Sequence, residues 1–163
     1  MSLTVGVDTY TTIAEADTYW GHRNNSTWAN ATDANKKKAL REATQYLDGH
    51  YTFIGCVSSY EQALAFPRTD LEILYGNRRG VVYNSTDIPQ PIKDATAQLA
   101  INALSSELRP PLARGGQIKR EKVDVLEVEY ADYASSNTSY EFVTMLLSGL
   151  IIGRGHEIKL VRA

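Results

Sequence analysis

Apolar residues at helical spacing predict the first element of the chain. Thr12 and Glu15 have the Thr-x-x-Glu spacing of a capping box, in which each side chain satisfies a backbone N–H of the first turn. The helix that begins there is predicted to end near Gly21, where a polar run follows. Its apolar face comprises Ile13, Ala16 and Trp20.

A second helix is predicted from Thr32 or Asp33 to about Asp48, with Gly49 as its C-terminal stop. Its apolar stripe comprises Leu40, Ala43 and Leu47. Its outer face is predicted to comprise Lys36, Lys37, Lys38 and Arg41. Because the solvent face of an amphipathic helix needs charge in any case, this basic run favours a solvated face over a phosphate site.

A third helix is predicted after Asp87, which can cap it, with Pro89 in its first turn and Arg-Pro-Pro at 109–111 as its end. Its apolar residues cover more than one face and comprise Ile92, Ala95, Leu99, Ala100, Ile101, Ala103 and Leu104. Such a helix is expected to be central, with neighbours on several sides.

The pattern changes in the last third of the chain. Residues 115–131 alternate in hydrophobicity, with a change of phase near Val125–Leu126 that predicts a long strand with a bulge, or a hairpin. Ser139 can cap a last short helix, and residues 156–163 are strand-like. The predicted fold is mainly α: a small bundle of three to four helices with an extended β-strand or hairpin arm, a C-terminal short helix and a strand-like tail. Residues 1–112 would form the helical body and residues 113–163 the rest.

Composition limits the function classes. The net charge of −2 provides no positive field for DNA or an anionic membrane, whereas a dedicated nucleic-acid binder more often has a basic domain. The N-terminal residues lack the basic and apolar regions of a signal peptide. The longest apolar stretch, at 142–152, is too short to span a bilayer. We therefore expect a soluble protein with no membrane partner.

Residues for catalysis or metal binding are sparse. His22, His50 and His156 are widely spaced, and the first two are expected near helix C-termini, where they interact with carbonyl groups. The single Cys56 excludes an internal disulfide and is predicted to be a small buried thiol. The sequence contains neither a Gly-x-Ser-x-Gly elbow nor a P-loop. No catalytic residue, metal or cofactor is expected.

Three basic clusters bear on nucleic-acid binding: Lys36–Lys38, Arg78–Arg79, and Lys119–Arg120 with Lys122. The ten tyrosines are enough in principle for base stacking. Arg78–Arg79 lies in a glycine-bounded loop that could contact a partner protein or DNA. Acidic residues interrupt the third cluster, which suits a protein–protein edge better than a phosphate track: Glu121, Asp124, Glu127 and Glu129.

The stretch "QALAFPRTD" at 62–70 is predicted to be a rigid joint rather than a catalytic loop. Pro67 fixes its own φ and biases Phe66 towards an extended conformation. Phe66 is expected to be an apolar anchor. Arg68 is expected to bond exposed helix carbonyls or a neighbouring subunit.

Six segments occur in an order that resembles one protein family. They are "YTTIAEADTYWGHR" at 10–23, "STWANAT" around Trp28, "KKKALREATQYLDGHYTFIG" at 36–55, "QALAFPRTD" at 62–70, "IPQPIKDATAQLAINAL" at 88–104 and "IKREKVDVLEVEY" at 118–130. Together they resemble the head-to-tail adaptors of tailed bacteriophages, also called head completion or connector proteins and also labelled DnaT-like ssDNA-binding proteins. The chain departs from the family at Asp124, where a Gly is frequent, and in a longer insertion at 71–86, for which a loop or hairpin is expected.

The resemblance implies a structural, non-enzymatic protein that forms a ring, of twelve subunits, between portal and tail. Its partners would be the portal protein, a tail protein or second adaptor (stopper or nozzle), copies of itself, and genomic dsDNA passing through the channel without sequence-specific binding. It would reside in the virion at the head–tail interface after assembly in the host cytoplasm. The arm would add a strand to a neighbour. The candidate interface residues are Arg68, Arg78, Arg79, Lys119, Val123, Val125, Val128, Tyr130, Phe142, Leu146, Leu150 and Ile151.

Two other function classes stay open. An ssDNA-binding, DnaT-like replication accessory protein would bring basic and aromatic residues into one groove and bind with strong salt dependence. A hydrolase or metal enzyme would lose activity when a histidine or Cys56 is mutated. The net charge favours the adaptor over the first class, and the missing motifs favour it over the second.

Overall fold

The computed structural model describes residues 2–73, 78–108, 120–123, 126–129 and 140–152. The elements in chain order are α1 (Ile13–Gly21), α2 (Ser26–Ala29), α3 (Asp33–His50), β1 (Cys56–Val57), β2 (Arg68–Thr69), α4 (Gln90–Ser105), β3 (Arg120–Val123), β4 (Leu126–Glu129) and α5 (Glu141–Leu146). β1 pairs with β2, and β3 pairs with β4, both antiparallel. The predicted fold class, a small helical bundle with a β arm, is confirmed.

The capping box at the start of α1 forms as predicted. Thr12 Oγ1 accepts from the Glu15 backbone N–H at 3.1 Å, and Glu15 Oε2 accepts from the Thr12 N–H at 2.8 Å. Glu15 also pairs with Lys93 of α4, with 2.6 Å between Nζ and Oε1. Burial opposes ionisation of Glu15, but hydrogen bonds from Lys93 and Thr12 outweigh it and lower the pKa of the carboxyl to about 2. One side chain thus caps α1 and ties it to α4.

α3 begins where it was predicted to begin but continues further. Thr32 is its N-cap, and its side chain accepts from the Asn35 N–H at 3.4 Å. The prediction that Gly49 stops the helix is wrong, because α3 includes Gly49 and ends at His50. The next N–H, that of Tyr51, still donates to the Leu47 carbonyl at 3.1 Å. The ring of His50 also stacks on Tyr46, with 4.9 Å between centroids, and this contact supports the last turn.

α4 is the central helix, as predicted, and packs against α1, α3 and α5. Its predicted cap is wrong: Pro89 occupies the N-cap position, and Asp87 lies outside the helix. The Asp87 carboxylate instead accepts from Asn84 Nδ2 at 2.8 Å and from Thr86 Oγ1 at 3.3 Å, within the preceding turn. Because the Asp87 carboxylate is bound within this turn, it does not cap the N-terminus of α4.

The C-terminal described segment shares the core of the helical body. Val143, Leu147 and Leu150 are buried in the same cluster as the apolar faces of α1, α3 and α4. The Ile54 N–H donates to the Leu150 carbonyl at 2.9 Å, and Phe53 forms an antiparallel bridge with Ile151. Residues 140–152 are therefore part of the packed body around the loop that follows α3.

Candidate interaction surfaces

Arg68, a predicted interface residue, is bonded within its own chain. Its Nε donates to the Ile54 carbonyl at 2.7 Å, and its Nη1 donates to the Ala65 carbonyl at 3.1 Å. Its Nη2 donates to the carbonyls of Gly55 at 2.7 Å and Phe53 at 3.3 Å. Three of these carbonyls belong to the loop after α3 and that of Ala65 belongs to the loop between β1 and β2, so none of them is at a helix terminus. One guanidinium therefore ties the 53–55 segment to the 65–68 segment, and we call this arrangement the Arg68 joint.

Apolar and backbone contacts complete the Arg68 joint. Phe66 is fully buried and contacts Phe53 and Tyr10 edge-to-face, with centroids 4.8 and 5.8 Å apart, so the predicted apolar anchor is confirmed. The Phe66–Pro67 peptide is cis. Gly55 has φ +73°, and a Cβ at this position would overlap the Thr69 carbonyl oxygen. Only glycine fits where β1 and β2 approach each other.

A buried polar pair fixes the same loop to α3. The Tyr10 hydroxyl donates to Asp48 Oδ1, and the Ala65 N–H lies 3.0 Å from both Asp48 Oδ2 and the Tyr10 oxygen. Burial raises the pKa of Asp48, although the hydrogen bonds from Tyr10 and Ala65 oppose this shift. Burial and the neighbouring Asp48 carboxylate raise the pKa of Tyr10. The pair orients the joint by hydrogen bonds in a partly desolvated environment.

Arg78 and Arg79 directly precede residues 80–83, which pair antiparallel with residues 71–73; we call these two paired segments, with the two arginines, the 71–83 hairpin. The Ile73 N–H donates to the Val81 carbonyl at 3.0 Å, and the Tyr83 N–H donates to the Leu71 carbonyl at 3.0 Å. These bonds confirm the hairpin expected for the insertion at 71–86. Both arginines are exposed, and neither forms an ion pair with a residue of the described chain. Leu71 and Ile73, in the first of the two paired segments, are buried.

The predicted C-terminal interface residues divide between core and surface. Leu150 and Ile151 are buried in the chain's own core, and Leu146 is partly buried against it. Phe142 and Met145 are 52% and 67% exposed. Since they are three residues apart on α5, they share one face, opposite the buried Val143 and Leu147. We call Phe142 and Met145 the α5 apolar face.

The arm contains an antiparallel hairpin. Val123 of β3 lies opposite Leu126 of β4, at the position where the alternation changes phase, and Val128 lies opposite Glu121. The hairpin, one of the two predicted forms of the arm, is therefore confirmed. Lys119, Val125 and Tyr130 lie outside the described residues, as does Ser139.

One polar cluster contradicts a prediction. Lys36, assigned to the solvent face of α3, is only 8% exposed. Its Nζ lies 2.8 Å from Asp17 Oδ1, which also accepts from Trp28 Nε1 at 2.7 Å. Trp28 belongs to α2, a short helix that the periodicity did not predict and that Asn25 caps. The sequence did indicate that Lys36 faces the core, because Lys36 lies four residues before Leu40, in line with the apolar stripe.

The structure describes Cys56, His22 and His50, whereas His156 lies outside the described residues. The prediction of a buried thiol is wrong: Cys56 is exposed, because both side chains of the two-residue strand β1 face solvent. His22 is the C-cap residue of α1, which confirms its predicted place near a helix C-terminus. Among the described residues, no three His, Cys, Asp or Glu side chains are placed to hold a metal ion.

None of the helices in the described part of the chain has both the length and the apolar character needed to cross a bilayer.

Comparison with known families identifies the chain at the family level. The model of a family described as "Putative DnaT-like ssDNA binding protein" matches residues 2–163. The chain belongs to this family. No curated protein and no solved structure matches it.

Five of the nine lysine and arginine side chains that the structure describes are bound by groups of the same DnaT-like chain. Besides Arg68 and Lys36, three described cations have intramolecular partners. Arg23 donates to the Tyr19 carbonyl, Arg41 to the Ser2 carbonyl, and Lys93 pairs with Glu15. The described cations without such a partner are Lys37, Lys38, Arg78 and Arg79. The first pair lies on α3 and the second on the 71–83 hairpin.

Proposed function

We propose that the chain is a structural head-to-tail adaptor of a tailed bacteriophage, a subunit of a ring of twelve copies between portal and tail. Its partners are the portal protein, a tail protein or second adaptor (stopper or nozzle), and neighbouring copies. Genomic dsDNA passes through the ring without sequence-specific binding. The protein assembles in the host cytoplasm, resides at the head–tail interface of the virion and acts by binding rather than by catalysis.

The observation that carries the proposal is the α5 apolar face. Phe142 and Met145 expose large apolar side chains next to each other, while the opposite face of α5 is fixed in the core by Val143 and Leu147. Exposed apolar groups on a rigid element are typical of protein–protein contacts. The helix is thus presented by the body rather than loosely attached to it.

The engagement of the cations supports the same proposal. Arg68, Lys36 and Lys93 bind carbonyls or carboxylates of their own chain, so they stabilise the fold and offer little charge to phosphates. A channel wall that gripped the phosphate backbone would oppose the passage of DNA. The β3–β4 hairpin supplies backbone groups of the kind that join neighbouring chains by strand addition.

A second candidate function is ssDNA binding, which the description of the family favours. On this alternative, Arg78 and Arg79 together with Lys37 and Lys38 would contact phosphates. Binding would then weaken steeply with salt, with a slope that reports how many phosphates are neutralised.

The experiment that tests the adaptor proposal is negative-stain microscopy of the chain mixed with the portal protein of its own virus. We expect an added ring of density on the portal. The variant carrying Phe142→Ser and Met145→Ser should lose the ring while keeping its helical circular dichroism, because both side chains are exposed. Val7→Ser, at an apolar residue that is 57% exposed and is not among the candidate interface residues, is the control and should retain the ring.

Portals that show no added ring of density, although the wild-type chain is present in micromolar excess, would contradict the proposal. Fluorescence anisotropy with a single-stranded oligonucleotide at two salt concentrations then tests the second candidate. Binding that falls about tenfold or more between 50 and 200 mM salt, and that Arg78→Ser with Arg79→Ser weakens, would support it. Binding that does not respond to either change would count against it.

A further inference from the structure

The 71–83 hairpin leaves the outer edge of its second paired segment open. Val82 is bridged antiparallel to Glu72, and the backbone hydrogen bonds of the hairpin lie on either side of this pair. In an antiparallel ladder, residues in such a position direct their N–H and C=O groups away from the partner strand. Neither backbone group of Val82 has a hydrogen-bond partner among the described residues. We call this outward-facing stretch, residues 81–83, the Val82 edge.

The Val82 edge also exposes apolar side chains. Val82 is 69% exposed and Val81 is 40% exposed. An open edge of this kind is a template on which another extended chain can pair. When a peptide adds to a sheet edge, main-chain hydrogen bonds provide affinity and alternate side chains provide specificity. The groups that strand addition requires are therefore present at Val82.

Two arginines border the Val82 edge at one end. The Val81 N–H donates to the Arg78 carbonyl at 3.1 Å, which closes a turn that contains Arg79. Both arginine side chains are exposed, and neither has an ion-pair partner in the described ranges. The exposed Glu72 lies directly opposite Val82 and would repel an acidic side chain placed beside it. Acidic residues of an incoming segment are therefore expected at the arginine end.

We propose that the Val82 edge binds an extended peptide segment of a partner protein that carries acidic side chains at the arginine end. The Val82 N–H donates to the backbone of the segment, the Val82 carbonyl accepts from it, and Arg78 and Arg79 pair with its carboxylates. A nucleic-acid backbone would satisfy the arginines but has no N–H donor for the Val82 carbonyl, so a peptide fits the edge better. The inference goes beyond the adaptor proposal, because it assigns a ligand class to a surface other than the α5 apolar face.

Amide hydrogen exchange tests the backbone part of this proposal. The probe is a synthetic octapeptide in which valine and glutamate alternate, and the control peptide has lysine in place of glutamate. NMR of the isotope-labelled full chain follows the Val82 amide. We expect the glutamate peptide at saturation to slow exchange of this amide about tenfold, and the lysine peptide to leave it unchanged. Slowing by neither peptide, or by both alike, would overturn the proposal.

A matched pair of variants at Val82 tests whether its N–H makes the contact. Val82→Pro removes the outward N–H but none of the hairpin's own hydrogen bonds, and proline is tolerated on an edge whose N–H faces solvent. Val82→Ala shortens the side chain and keeps the N–H. Fluorescence anisotropy of the labelled glutamate peptide measures the Kd, which we expect to be about fivefold higher for Val82→Pro than for Val82→Ala. Equal Kd values would overturn the backbone contact.

The charged part is tested by Arg78→Ser with Arg79→Ser, which also decides the matter if Val82→Pro does not fold. We expect the Kd for the glutamate peptide to rise about tenfold and to depend less on salt. Lys37→Ser with Lys38→Ser removes the same number of charges from α3 and should bind the peptide like wild type. Equal Kd values for the two double variants would overturn the pairing with the arginines.

The free chain at increasing concentration provides the remaining test. Exchange of the Val82 amide should not change with chain concentration when no peptide is present. Exchange that slows as the concentration rises would show that a second copy of the chain covers the Val82 edge, and this result would overturn the proposal of an acidic partner segment.

Discussion

The Arg68 joint and the end of the 71–83 hairpin use arginine in opposite ways. Arg68 donates to four backbone carbonyls of its own chain and is held between loop segments. Arg78 and Arg79 are exposed, without an ion pair to any described residue. Ten residues of sequence separate these two environments, and both were predicted as interface.

The difference teaches that the partner of an arginine, rather than its loop context, decides its role. A guanidinium has five N–H donors in a planar fork, so it can satisfy several carbonyls that regular secondary structure leaves unpaired. The loop after α3 has such carbonyls at Phe53, Ile54 and Gly55, whereas residues 71–73 and 80–83 pair with each other through backbone hydrogen bonds. The first arginine is therefore expected to govern stability and the second pair to govern association.

Substitution of Arg68 is expected to have the largest effect. Arg68→Ala should lower the free energy of unfolding by about 3 kcal/mol, because several charge-assisted hydrogen bonds are lost and their carbonyls are left without a donor. Arg68→Lys should recover less than half of this loss, since an ammonium cannot reproduce the fork. Urea denaturation measures both. A loss below 0.5 kcal/mol for Arg68→Ala would mean that the joint does not depend on the guanidinium.

The glycines of the two regions provide a matched pair. Gly55 and Gly80 both have positive φ, at +73° and +85°, but a Cβ would meet the Thr69 carbonyl at Gly55 and nothing within 4 Å at Gly80. Gly80→Ala should cost about 1 kcal/mol for the left-handed conformation alone. Gly55→Ala should cost about 2 kcal/mol or more, because the β1–β2 approach must also widen. Equal urea midpoints for the two variants would show that the overlap is relieved without cost.

The buried hydroxyl that fixes the joint is expected to have a smaller and pH-dependent effect. Tyr10→Phe removes the donor to Asp48 and should cost about 1–2 kcal/mol near neutral pH. Burial raises the pKa of Asp48, so the folded state binds a proton more readily than the unfolded state, and Asp48 ionisation reduces stability as pH rises from about 4. The hydrogen bond from Tyr10 lowers that pKa, so its loss raises the pKa further.

The cost of Tyr10→Phe should consequently grow between pH 4 and pH 7, as measured by urea unfolding at each pH. Tyr60→Phe, at an exposed position, is the control and should show no pH-dependent difference from wild type. A cost that stays constant with pH would mean that the Asp48 charge is not coupled to the Tyr10 hydroxyl.

Local signals in the sequence predicted the helical framework. The Thr12–Glu15 capping box and the Thr32 N-cap are contacts between residues three positions apart, so their spacing can be read directly. The central position of α4 was predicted from apolar residues that lie around its circumference. The β3–β4 hairpin followed from a change of phase in a strand pattern. Each signal lies within one element.

The contacts of Lys36 and Arg68 were missed because their partners are distant in sequence. Lys36 was assigned to solvent because it lies in a basic run, but Asp17 and the unpredicted α2 enclose it. The Arg68 donors reach carbonyls thirteen to fifteen residues earlier in three of four cases.

The smallest effect on stability is expected at the hairpin, where Arg78 and Arg79 are expected to act on the rate of association instead. Arg78→Ser with Arg79→Ser should change the free energy of unfolding by no more than about 0.5 kcal/mol, because exposed charges without partners contribute little. If this end of the hairpin meets an acidic partner surface, the association rate with the portal should fall and depend less on salt. Lys37→Ser with Lys38→Ser removes the same number of charges from α3 and is the control. Equal association rates for the two double variants would show that net charge, rather than the placement of Arg78 and Arg79 on the 71–83 hairpin, sets the encounter.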